Sequence, residues 1–105
     1  MEMTKYIMSI LRTQLMLVWS WGFHNAKAVE NGLRFNVQGF KFRGVVEVVY
    51  NEAWDLFDVS FIKGGKVINT IEGVYFDMLV DTIDFYVEKT ADYEKRVKEE
   101  YSFSF

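Results

Sequence analysis

The sequence predicts an α+β fold: an N-terminal helix, a four- or five-stranded antiparallel meander sheet and a C-terminal helix, both helices on one sheet face, in a single domain spanning residues 1–105. Three observations lead there. Over residues 40–50, Phe40, Phe42, Val46, Val48 and Tyr50 take one parity while Lys41, Arg43 and Glu47 take the other, the period-2 alternation of a half-buried strand. Phe57, Val59 and Phe61 resume the alternation after Asn51-Glu52-Ala53-Trp54-Asp55, and Gly64-Gly65 offers the positive φ angles of a two-residue hairpin before Lys66 to Ile71. On either side the period changes to 3.6.

Taken in order, residues 3–21 read as one amphipathic helix with Met3, Ile7, Ile10, Leu11, Gln14, Val18 and Trp21 on the core side and Lys5, Ser9, Arg12, Thr13 and Ser20 opposite. Gly22 ends it, being free to take the left-handed conformation. Trp19 and Trp21 point about 200° apart on a helix, so only one of them faces the core, and Trp21 is the expected choice. Residues 26–30 form a short strand, with Asn31-Gly32 as a type I′ hairpin signal. Leu33, Phe35 and Val37 then alternate with Arg34, Asn36 and Gln38, and parity flips before Phe40. That flip calls for a tight turn or a bulge at Gln38-Gly39, the turn being the expected one. Gly44 marks a bulge or a close helix approach. From about Val74 a second helix carries Phe76, Leu79, Val80, Ile83, Tyr86, Val87, Thr90, Val97 and Tyr101 on one broad face. Asp77 and Asp81 near its start and Lys95, Arg96 and Lys98 near its end complement the helix dipole. Residues 101–105 alternate aromatic and polar side chains as an extended tail.

Composition narrows the function classes. Half of the 105 residues are hydrophobic and 18% are aromatic, which suits a packed core. There is no cysteine, so disulfides, thiolate metal sites and cysteine nucleophiles are out, and no proline, so turns rest on Gly, Asn and Asp. Residues 1–71 carry eight Lys/Arg against six Asp/Glu, and residues 72–105 four against nine, giving halves of +2 and −5. An acidic chain lacks the basic footprint of nucleic-acid binders and is disfavoured at anionic membranes. Lys5 and Arg12 interrupt the apolar N-terminal stretch, so neither a membrane span nor a secretory signal is expected.

No catalytic, cofactor or metal constellation emerges. His24 is the only histidine and sits beside Asn25 in a connection, where a structural or solvent-facing role is expected. Asp77, Asp81, Asp84 and Glu88 fall within about 60° of helical arc and form a carboxylate stripe, read first as a solvated face and second as a docking face for a basic partner or a weak cation site. Asp55 and Asp58 are three apart on an extended segment and face opposite sides. The candidate interaction surface is apolar instead. Val45, Val49, Leu56 and Ile62 fall on the sheet face away from the helices, Trp54 sits at a hairpin tip, Met78 and Phe85 flank the second helix, and Phe103 and Phe105 end the chain.

The segment Trp21-Gly22-Phe23-His24-Asn25, through Asn31-Gly32-Leu33 to Asp55-Leu56-Phe57-Asp58, resembles small uncharacterised bacterial proteins of the kind found in gut Bacteroides and their mobile elements, over residues 20–85. That resemblance implies a bacterial, cytoplasmic setting and carries no activity with it. The expected function is a non-enzymatic protein-interaction or regulatory module whose partner is another protein or a second copy in a homodimer. A small ligand-binding domain or enzyme, and single-stranded nucleic-acid binding on the open sheet face, are the alternatives.

Overall fold

The computed structural model describes residues 2–88. Its elements are α1 (Met3–Arg12), α2 (Leu15–Ser20), β1 (His24–Val29), β2 (Gly32–Gln38), β3 (Arg43–Asn51), β4 (Leu56–Lys63), β5 (Lys66–Val74) and α3 (Leu79–Val87), the last entered through a 3-10 turn at Phe76–Met78. The five strands form an antiparallel sheet in chain order, β1-β2-β3-β4-β5. The helices cover one face. The C-terminal half of the expected second helix, with Thr90, Val97 and Tyr101, and the tail with Phe103 and Phe105 lie outside the described residues.

Strand parity sets the core. Leu33, Phe35, Val37, Val46, Val48, Phe57, Val59 and Phe61 are buried, and they meet Ile7, Leu11, Val18 and Trp21 from α1, α2 and the residue that follows, and Leu79, Val80, Ile83 and Val87 from α3. Aromatic contacts knit the two layers: Phe61 stacks on Tyr86 with centroids 3.8 Å apart, and Phe42 meets both rings edge-on at 5.6 Å. Edge-on aromatic contacts of this kind add about 0.5–1.5 kcal/mol to what area burial alone supplies.

The N-terminal helix is two helices. Gln14 leaves helical space at φ −134° and ψ 58°, and the Thr13 hydroxyl donates to the Ile10 carbonyl at 2.6 Å, offering that carbonyl a partner other than the helical ladder. Ile7, Leu11, Val18 and Trp21 nevertheless share the core, so the break redirects the axis and keeps the apolar side inward. Gly22 does end α2, at φ +68°, with its N–H donating to the Trp19 carbonyl at 3.0 Å.

Three further expectations need correction. Phe40 is 66% exposed; it lies in the β2–β3 connection, and alternation begins to count only from Phe42, which is buried. The β1–β2 turn residues are Glu30 and Asn31, with Val29 paired to Gly32, and only Asn31 of that turn has a positive φ, +58°. Gly32 belongs to β2, paired with Val29 and Val49, and has to be glycine because a Cβ there would lie 2.0 Å from the Val48 carbonyl oxygen. Lastly, β5 runs on to Val74, so the helical period starts later than Val74, and Phe76, on the 3-10 turn, is exposed.

The other turns follow the sequence reading. Gly64 and Gly65 have φ of +59° and +78° and join the paired residues Lys63 and Lys66, as a type I′ loop requires. The parity flip is resolved by the turn after Gln38 rather than by a bulge, and β2 and β3 stay in unbroken register from Gly32↔Val49 to Gln38↔Arg43. Gly44 sits under the Phe42 ring, whose nearest atom would be 2.8 Å from a Cβ there. Bulges occur in the edge strands, where the register slips once in β1 between His24 and Lys27 and twice opposite β4 in β5. Such slips twist an edge away from pairing.

Candidate interaction surfaces

The sheet face away from the helices is built of cross-strand rows, because residues directly opposite each other share a face. One row reads His24–Asn36–Val45–Ile62–Val67, the next Lys27–Arg34–Glu47–Ser60–Thr70, and the third Val29–Gly32–Val49–Asp58. Asn51 and Leu56 close the end. Val45, Val49, Leu56 and Ile62 thus stand where the sequence places them, each half-buried. They do not form one patch. The middle row is polar throughout: the Arg34 guanidinium pairs with Glu47, its Nε donating at 2.8 Å, and the Ser60 and Thr70 hydroxyls lie 3.2 Å apart. This row parts Val45, Ile62 and Val67 from Val29, Val49 and Leu56. No aromatic side chain stands on this face among the described strand residues.

Met78, on the 3-10 turn, and Phe85, on α3, are 50% and 62% exposed on the opposite side of the sheet. With Ile71 and Asp81 they line an open groove of about 500 Å³ between α3 and β5. The Lys41 ammonium sits 4.7 Å from the Phe85 ring centroid and donates to the Phe85 carbonyl at 2.8 Å.

Trp54 is 74% exposed at the tip of the β3–β4 turn. Asn51 shapes that turn by accepting the Ala53 N–H at 3.1 Å, and Asp55 follows at φ +54° with its carboxylate accepting from the Tyr50 hydroxyl. That hydrogen bond, then desolvation and the negative charges of Asp55 and Glu52, raise the Tyr50 phenol above its ordinary pKa. Trp54 lines a cleft of about 670 Å³ whose other walls include Tyr6 from α1, Tyr50 from β3, and Tyr75 and Phe76 from the β5–α3 junction.

The acidic stripe is partly consumed by the fold. Asp84 accepts the indole N–H of the fully buried Trp21 at 2.9 Å, and Glu88 accepts the Phe40 backbone N–H at 2.8 Å, while Asp77 and Asp81 face water. Among the described residues no three His, Asp or Glu side chains converge as a metal set. The His24 ring bonds the Gly22 carbonyl through Nδ1 at 2.6 Å, which makes it a local brace.

Two exposed apolar features go beyond the sequence reading, which placed only Trp19 away from the core. Leu15, Met16 and Trp19 line the outer side of α2, although the run Leu15 to Trp19 is apolar all round and a helix lying on a sheet buries only one side of such a run. Val67 and Ile68 are exposed on β5 because an edge strand lacks a neighbour to cover them. No helix among the described residues is long and apolar enough to cross a membrane. The chain matches no family model, no curated protein and no solved structure.

Proposed function

We propose that this chain is a non-catalytic interaction module that pairs with a second copy of itself through the open face of its sheet. The supporting observation is the row Val45–Ile62–Val67, three aliphatic side chains opposite one another on adjacent strands and ending at the free edge of β5. Apolar groups aligned on a solvent-facing sheet release their water when a like surface covers them, and a two-fold axis lays such a row against its own copy. The neighbouring Arg34–Glu47 row gives the contact a polar border that disfavours slipped registers. Single-stranded nucleic-acid readers stack bases on rings, and this face offers aliphatics instead, so protein pairing is the better-supported reading. A bacterial cytoplasmic setting belongs to the same proposal.

Light scattering after size exclusion, over a wide range of concentrations, tests the pairing. The expected mass rises toward the dimer with concentration, and Ile62→Lys returns it to the monomer while changing the melting temperature little in dilute solution, where pairing adds nothing. A strictly monomeric mass for the unaltered chain at high micromolar concentration rejects it.

A further inference from the structure

We infer that the aromatic cleft lined by Trp54 is a binding site for a weakly hydrated organic cation, a quaternary ammonium or a guanidinium group. The rings come from separate elements: Tyr6, Tyr50, Trp54, Tyr75 and Phe76 converge on one cleft of about 670 Å³, well within the volumes of about 300–1,000 Å³ typical of small-ligand sites. Trp54, Tyr75 and Phe76 are 74%, 63% and 57% exposed. Aromatic surface gathered in water at one place marks a candidate recognition site, and ring faces attract cations through their quadrupole.

Charge decides the sign of the occupant. Asp55 lines the cleft itself; Asp58 and Glu72 lie just beyond Trp54 in an adjoining hollow, and Asp77 just beyond Phe76 in another. Among the described residues, no Lys, Arg or His lines any of these three surfaces. An anion or a phosphate is therefore repelled, while a cation gains from every nearby carboxylate. A bare metal ion is the wrong cation, because hard ions need several converging oxygens and here the walls are rings. Quaternary ammonium and guanidinium groups shed water readily and stack, which suits such walls. The site lies at the turn end of the sheet, apart from the Val45–Ile62–Val67 row, so it stands or falls independently of the self-pairing proposed above.

The test is an amide NMR titration of the full chain with choline, with its neutral isostere 3,3-dimethylbutan-1-ol, and with sodium chloride as the ionic control. Expected are saturable shifts with choline at residues 50–56 and 75–77, and none from the isostere. Trp54→Ala weakens choline binding about tenfold, the contribution of one well-placed ring. Asp55→Asn, which keeps a residue tolerant of positive φ, weakens it less and flattens its salt dependence. Acetyl-arginine amide and an arginine-containing peptide, compared at equal arginine concentration, separate the sources: equal affinity marks a free small cation, and a gain for the peptide marks a partner chain. Equal shifts from the neutral isostere, or no shifts at these residues with any cation, overturn the inference. The light-scattering result is unaffected either way, which keeps the two failures distinct.

Discussion

At the scale of the residue, two side-chain pairs decide how far a buried or raised group depends on its partner. Trp21 is wholly buried, and its indole N–H donates to Asp84 across the layer formed by α2 and α3. Removing the acceptor strands a buried donor, so Asp84→Ala is expected to cost about 1–3 kcal/mol in urea unfolding, and Asp84→Asn, which keeps an oxygen there, clearly less. Equal losses from both substitutions would show that the charge matters rather than the acceptor. Tyr50 and Asp55 make the second pair. Because the folded-state pKa of Tyr50 is raised, the pair's contribution is fully present below the phenol's unfolded value, about 10, and is lost as pH rises through the higher folded value. Asp55→Gly keeps the left-handed φ and removes the carboxylate, so ultraviolet titration of the tyrosines should show one phenol moving back toward its ordinary range. An unchanged titration curve would detach the shift from Asp55. The opposition of Trp19 and Trp21 was legible from helical geometry alone; the Asp84 partnership was not, since nothing in local sequence ties residues so far apart.

At the scale of the element, the β2–β3 connection caps α3. The Val87 carbonyl accepts the N–H groups of Lys41 at 2.8 Å and Phe42 at 3.2 Å, and the Phe85 carbonyl accepts the Lys41 ammonium. These are carbonyls of the last helical turn, which need partners from outside the helix. The approach is possible because residue 39 is glycine: a Cβ there would lie 2.4 Å from the Val87 oxygen and 2.2 Å from a Val87 methyl. Its φ is not left-handed, so the requirement is room. Gly39→Ala is therefore expected to cost about 2 kcal/mol or more by forcing α3 outward, and hydrogen exchange should speed up first at Lys41 and Phe42. Uniform acceleration, or a stability loss below about 0.5 kcal/mol, would mean the connection yields without moving the helix. Strand order, the Gly64-Gly65 hairpin and the Gly22 cap were readable because each rests on local pattern or on φ. The break at Gln14, the exposure of Phe40 and the packing role of Gly32 were not: the break is a local backbone departure inside an otherwise unbroken apolar period, Phe40 falls in a connection that continues the strand's parity, and Gly32 is held by the backbone of a different strand. Dipeptide rules credit Asn31-Gly32 to a turn, yet Gly32 is fixed by the backbone of β3.

At the scale of the whole molecule, a single sheet separates two environments, and adjacent residues on β4 sample both. Phe61 points inward, fully buried between Phe42 and Tyr86, whereas Ile62 points outward between Val45 and Val67 and is only half-buried. The period of two was enough to assign these faces from sequence, but not to see that Arg34–Glu47 and Ser60–Thr70 divide the outer one, because that division depends on register between strands. The same geometry makes a paired test. Phe61→Ala opens a cavity in the packed layer and is expected to lose about 3–5 kcal/mol of stability. Ile62→Ala removes a half-buried side chain that no helix among the described residues covers, so about 1 kcal/mol or less is expected at low protein concentration. Denaturant melts of both variants at low micromolar concentration isolate the fold; repeating them at high concentration adds any pairing to the ledger, because a partner bound only by the native state stabilises it by mass action. The Ile62→Ala penalty should then grow with concentration while the Phe61→Ala penalty stays near its dilute value. A penalty at Ile62 that is large already in dilute solution would place that side chain inside the monomer's own core and remove it from the interaction surface.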